Sequence, residues 1–281
     1  MKPIKLISDS TCDLSKELLQ KHDIETVPLY VNFGDESYFD GVNLSVQEMY
    51  ELIKARGTLP KTAAVAPGTF VEVFKKYLDL GYQILFMGIG SHFSATYQSA
   101  ILAKQLLESP DIHLIDSANL SSGTGLLLLK AAKFRGQGDD MATIEQKIKE
   151  IIPKVRTQFV INTMEYLYKG GRCNSLVAFM GTVLKIKPII KVHEGLMAVG
   201  KKGRGKITSG IDLMIDELRR VSNQLDDDFL MVTDSMAGPA VDYIFDKISG
   251  VPIHNKYHTE AGCVISSHCG AGCIGILYIL K

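Results

Sequence analysis

Ile84-Leu85-Phe86-Met87-Gly88-Ile89-Gly90-Ser91-His92-Phe93-Ser94 carries an apolar strand into a glycine-rich turn, and Ala95-Thr96-Tyr97-Gln98-Ser99-Ala100 then reads as the start of a helix. A helix start leaves backbone N–H groups unpaired, and the helix dipole adds partial positive charge there. Such a corner favours an anion without a lysine or arginine. Ser94 stands at the N-cap position, where its hydroxyl either caps the helix or reaches a bound oxygen. The arrangement recurs twice. Ile4-Lys5-Leu6-Ile7 runs into Ser8-Asp9-Ser10-Thr11-Cys12-Asp13-Leu14, which is expected to open a helix through about Gln20. Ile112-His113-Leu114-Ile115 runs into Asp116-Ser117-Ala118-Asn119-Leu120-Ser121-Ser122-Gly123, with a helix from near Thr124. In an open parallel sheet such corners gather at the C-terminal strand ends, where ligands bind.

The other segments extend this pattern. Thr26–Phe33 reads as a second strand, followed by the turn Gly34-Asp35-Glu36. Ser45-Val46-Gln47-Glu48 is a capping box for a helix that runs to about Arg56 and stops at Gly57. Pro67–Asp79 puts Phe70, Val71, Phe74, Tyr77 and Leu78 on one helical face, and further helices are expected over Ser122–Phe134 and Met141–Ile152. Strands alternating with helices predict a mainly parallel sheet flanked by helices. Beyond Pro153 the strands shorten, and His193-Glu194-Gly195 turns a hairpin between Pro188–Val192 and Leu196–Val199. The expected architecture is therefore two-domain α/β: an N-terminal α/β domain over 1–155, and a smaller C-terminal α+β domain over 156–281 with a largely antiparallel sheet. Gly200-Lys201-Lys202-Gly203-Arg204-Gly205-Lys206 reads as an exposed basic loop.

With 281 residues, 46% apolar and 22% charged, the chain has ordinary globular composition. Lysine plus arginine and aspartate plus glutamate number 31 each, so nothing favours nucleic acid or an anionic membrane as a partner. Without a secretory signal or an apolar run of membrane-spanning length, a cytoplasmic location is expected. The five cysteines, Cys12, Cys173, Cys263, Cys269 and Cys273, lack framework spacing and fit a reducing compartment. His268, Cys269 and Cys273 cluster, but the CxxC pairs of a structural zinc site are missing, so buried thiols are expected and no metal.

Taken together, these segments resemble the DegV family of bacterial fatty-acid-binding proteins over essentially the full length. The landmarks are Ser8 to Leu14; Thr62 with Pro67 after it; Ser91 to Ala100; Asp116-Ser117 with Ser121-Ser122-Gly123; Met164-Glu165-Tyr166-Leu167-Tyr168-Lys169-Gly170-Gly171-Arg172; Lys187-Pro188-Ile189-Ile190; and His268-Cys269-Gly270-Ala271-Gly272. The resemblance implies a long-chain fatty acid in a tunnel between the two domains, its carboxylate held by Thr62, Ser94 and His268. It also implies a non-enzymatic carrier, similar to the binding subunit of fatty acid kinase, with no cofactor beyond the bound acid. A separate kinase would phosphorylate the carboxylate, an acceptor enzyme would take the acyl-phosphate, and any membrane contact would be transient. Arg172 would place or neutralise the phosphate, and Asp9, Ser121 and Ser122 would support the head-group site. The chain departs from the family pattern where Ala63-Ala64-Val65-Ala66 follows Thr62, and at Ala95 and Ala271.

Read from the residues alone, each candidate has a plainer role. Ser94 can simply cap, Arg172 can satisfy helix-end carbonyls, and Asp9 or Asp116 can make Asx turns. A rival function is a hydrolase or acyltransferase in which Ser94 attacks, His268 is the base and Asp9 or Asp116 orients it. Ser94 lies outside any Gly-x-Ser-x-Gly elbow. A nucleotide-binding enzyme is a second rival, but GxxxxGK[ST] is absent and no GxGxxG joins a strand to a helix.

Overall fold

Four consecutive leucines, Leu126 to Leu129, leave a helix no polar side, so the helix that holds them has to be surrounded. In the computed structural model, which describes residues 2–172 and 186–281, that helix is α5 (Ser122–Gly136), packed between two sheets. On one side lie β1 (Ile4–Asp9), β2 (Ile24–Val27), β6 (Gln83–Phe86) and β7 (Ile112–Leu114), all parallel in the order β2-β1-β6-β7. On the other side lie β8 (Val155–Val160), β9 (Ile186–His193), β10 (Leu196–Arg204), β11 (Leu225–Ser235), β12 (Asn255–Glu260) and β13 (Cys273–Leu280). Their order is β10-β9-β8-β13-β11-β12, and every pairing is antiparallel except β11 with β12.

Strand alternation then builds the outer layers. Leu6 and Leu85 join the cluster around α5, whereas Ile7, Ile84 and Phe86 pack with Phe70 and Phe74 of α3 (Pro67–Asp79) and Ala100 of α4 (Thr96–Leu107). Across the molecule Phe229 and Met231 join the α5 cluster, while Leu230 and Val232 pack with α8 (Thr208–Arg220) and α9 (Pro239–Lys247). Helix α6 (Met141–Ile151) closes the central layer through Ile144 and Ile148. The α/β architecture expected from the sequence, parallel first and largely antiparallel later, is the one present.

Several local readings change. The helix expected from Ser10 is a 3-10 turn over Ser10–Cys12, ended by Asp13 at φ 49°, and α1 (Lys16–Lys21) begins only after the Ser15 cap. Thr26–Phe33 is not one strand. Pro28 has no N–H for a ladder and Leu29 N–H donates to Ser10 Oγ (3.2 Å), so β2 ends at Val27. The chain then enters a separate antiparallel sheet of β3 (Tyr30–Phe33), β4 (Glu36–Phe39) and β5 (Lys61–Ala63), ordered β4-β3-β5. The capping box stands: Ser45 and Glu48 start α2 (Val46–Arg56), and Gly57 at φ 67° ends it. The basic run is no loop as far as Arg204, because β10 continues through it past a bulge between Val199 and Lys202. Lysines on an edge strand oppose pairing with another sheet, which accounts for the charge. Cys173 lies outside the described residues. Among those described, no helix is long and apolar enough to cross a membrane.

Candidate functional site

The three polar corners do meet at one end of the parallel sheet, but they mainly bind one another. Asp9 Oδ2 accepts from Ile89 N–H (2.8 Å), Gly90 N–H donates to the Asn119 carbonyl (2.7 Å), and Ser91 N–H donates to Asp116 Oδ1 (3.1 Å). A Cβ at Gly88 would overlap the Asp9 carboxylate, and one at Gly90 would crowd Asn119. These glycines let the corners nest. The N–H groups expected to attract an anion are thus largely occupied within the protein. Ser94 Oγ accepts from Thr96 N–H (3.2 Å) and pairs with Thr96 Oγ1 (2.9 Å), although Ala95 is the N-cap residue of α4.

Beside these corners opens a cavity of about 600 Å³, counting the space open to solvent, lined by Thr62, Ser94, Arg172 and His268 together with apolar groups that include Ile89, Phe93, Leu167 and Met197. A second chamber of about 380 Å³ continues from it; Leu120, Phe159, Ile265 and Cys269 border both. Thr233, Ser235 and Thr157 also line the inner chamber, but their hydroxyls are engaged with Ser122 and Thr259, with Ser266, and with Asn119 respectively. They therefore leave the inner surface largely apolar.

Thr62 sits on β5, and His268 sits in α10 (Cys263–Cys269). Their side chains meet, with Thr62 Oγ1 3.0 Å from His268 Nε2. His268 Nδ1 is buried without a partner among the described residues and faces Gly170, where an added Cβ would overlap it. Burial first, and then the charge of Arg172, hold the imidazole down to about 4, so it is neutral at pH 7. Neutral, with Nε2–H donating to Thr62, it leaves the threonine hydroxyl proton free for a bound oxygen. Arg172 is fixed by two carbonyls, Nη1 to Gly170 (2.8 Å) and Nε to Phe93 (3.4 Å), so it joins the short helix α7 (Glu165–Lys169) to the β6–α4 corner.

Helix α10 is held from its other end by residues that the sequence reading passed over. Asp13 Oδ1 accepts from Gly262 N–H (2.9 Å) and Asp40 Oδ1 from Cys263 N–H (2.7 Å). Burial pushes the carboxyl groups of Asp9, Asp40 and Asp13 up, Asp13 well above the usual carboxylate range. The signal for Asp13 and Asp40 was weak, since an aspartate at a turn ordinarily explains itself locally.

Thr62, Ser94, His268 and Arg172 are therefore brought together at one cavity. Asp9, Ser121 and Ser122 are not. Asp9 is buried beneath the corner, accepting from Thr11 and Ile89. Ser121 donates to Asp13 and borders only the inner chamber, and Ser122 bonds Thr259 (3.0 Å) behind it. The hydrolase arrangement is not assembled either. His268 Nε2 meets Thr62 rather than Ser94, its Nδ1 has no carboxylate, and Asp116 is occupied by Ser91 and Ala118 N–H groups.

The family model described as "Uncharacterised protein, DegV family" matches residues 3–281. A DegV domain-containing protein of Clostridium acetobutylicum is 35% identical over 282 residues, spanning 100% of both chains. Among solved structures, a DegV family protein from Thermus thermophilus, described by its fatty acid binding, matches with TM-score 0.92 at 27% identity over 100% of each chain. A stearic acid-binding protein from Eubacterium ventriosum matches with TM-score 0.88 at 26% identity, over 99% of this chain and 98% of its own.

Proposed function

The chain belongs to the DegV family, and on that premise we propose that it binds a long-chain fatty acid and presents the carboxylate to a fatty acid kinase. The observation that carries this reading is a largely apolar cavity, continued by a second apolar chamber, with Thr62, Ser94, His268 and Arg172 in its lining. Burial of a methylene is worth about 0.8 kcal/mol, so ~14 of them give a gross ~11 kcal/mol before association costs. That suffices for a carrier without an ion pair. The carboxylate has to be hydrogen-bonded to be desolvated, and the hydroxyls of Thr62 and Ser94 can supply the donors, the first oriented by the His268 imidazole. Neutral donors hold it while leaving an oxygen accessible to a phosphoryl donor. Arg172 then sets a permanent cation where phosphate charge would develop. The acyl-phosphate would pass to an acceptor enzyme.

The test is to denature the purified protein, extract it with solvent and identify the lipid by mass spectrometry. One equivalent of a C14–C18 fatty acid is expected. Phosphorylation by a fatty acid kinase should then fall when Ser94 and His268 are replaced, with a smaller loss of lipid retention. A lipid-free extract, together with no uptake of added fatty acid, overturns the reading.

A further inference from the structure

Two thiols face the same apolar space. Cys269 borders both chambers and Cys273 borders the inner one; both are free and each is 6% exposed. Gly270 and Gly272, at φ 80° and 79°, turn the chain between them so that both side chains line the inner chamber, where Cys269 Sγ donates to the Gly270 carbonyl (3.7 Å). Cys12 and Cys263 differ, since neither borders the two chambers, and Cys263 Sγ donates to the Leu44 carbonyl (3.3 Å). A lone buried thiol packs as a small apolar group. An adjoining pair is in addition a two-electron reductant, and this pair flanks the space taken by the middle and tail of a chain whose head is at Thr62. An unsaturated acyl chain, once oxidised, carries its hydroperoxide on such an internal carbon.

We propose that Cys269 and Cys273 form a dithiol that reduces a hydroperoxide on the bound acyl chain to the alcohol. The proposal rests on the fatty-acid reading of the cavity. Cys269 sulfur attacks the terminal peroxide oxygen and the O–O bond breaks. The departing alkoxide takes the proton that the Cys269 thiol gives up, leaving a hydroxy acid and a sulfenic acid. Cys273 sulfur then attacks the sulfenic sulfur, its proton leaves with the hydroxyl as water, and a disulfide forms. Two thiols lose two electrons in all, and one peroxide gains them. Holding the peroxide against the Cys269 sulfur raises its effective concentration. The reaction therefore favours the bound lipid over peroxide in bulk solution.

The experiment adds one equivalent of a C18 fatty acid hydroperoxide to reduced, lipid-free protein without added thiol. Hydroxy acid is measured by mass spectrometry and the disulfide by peptide mapping. One hydroxy acid per Cys269–Cys273 disulfide is expected, at a rate about tenfold or more above that of equimolar hydrogen peroxide. Cys273→Ser should still form hydroxy acid and leave a Cys269 sulfenic acid that dimedone traps, and Cys269→Ser should form none. If the wild-type protein retains the hydroperoxide intact with both thiols free, this proposal fails and the binding reading survives. If it retains neither hydroperoxide nor palmitate, both fail.

Discussion

His268 is neutral in the fold and protonated when unfolded over a wide pH range, and this gives a measurable slope. Burial and Arg172 lower the imidazole from 6.5 to about 4. Between those values the unfolded chain holds the extra proton, so this group's contribution to stability is present above pH 6.5 and is lost as pH falls towards 4. At about 1.4 kcal/mol per unit, the full loss is about 3 kcal/mol. Asp9, Asp13 and Asp40 act in the opposite sense. Their raised values mean that the native state binds protons first, so they favour the fold as pH falls. A single acid titration would mix the two trends. Their difference separates them: His268→Gln cannot titrate and keeps a donor for Thr62, while the aspartates remain. Urea denaturation of both proteins at steps from pH 7.5 to 4 should show the wild type losing about 3 kcal/mol relative to the variant, mostly between pH 6.5 and 4. A flat difference curve, or one with the reverse slope, refutes the reasoning that this imidazole is buried neutral.

Other perturbations test the packing. Leu127→Ala in the enclosed helix α5, where the side chain is 0% exposed, should cost about 2–5 kcal/mol, read as a lowered urea midpoint. Gly170→Ala drives a methyl group into His268 Nδ1; the ring is expected to shift off Thr62, weakening phosphorylation of bound acid several-fold while the urea midpoint changes less. Ala261→Leu fills part of the inner chamber, so the extracted lipid should become shorter by a few carbons, and an unchanged chain-length profile counts against the chamber as the tail's resting place. Ser45→Ala removes the α2 cap and should lower stability by about 1 kcal/mol in the same denaturation assay.

What the sequence made legible follows from which forces are local. Ser45 with Glu48, Pro67 at a helix start and the apolar run Ile84–Phe86 are signals carried within a few residues, and they gave helices and strands that the structure contains. Leu29 was misplaced, and the helix around His268 went unread, for the opposite reason. Leu29 leaves its strand because a serine 19 residues earlier takes its N–H, and His268 is helical because Asp13 and Asp40, far away in the chain, hold the start of α10. The Gly88–Gly90 turn was read as open to an anion, yet a carboxylate from another corner fills it. Thr62, Ser94, His268 and Arg172 could be named together only through resemblance, since no spacing rule links a strand, a corner and two helix ends. The inner chamber was illegible for a similar reason: Thr157, Thr233 and Gly275 come from three strands, and no period in the sequence joins them.

The position of α5 also limits how anything can enter or leave. A helix with leucines all round, wedged against strands from both halves of the chain, makes a clamshell opening prohibitive, because parting the sheets would wet every one of those leucines at once. Small displacements at the rim cost far less: there Arg172, anchored on the Gly170 carbonyl at the end of α7, reaches the β6–α4 corner through the Phe93 carbonyl alone, a contact that breaks and re-forms cheaply. Exchange kinetics should respond to substitutions there and be nearly blind to those in the leucine helix.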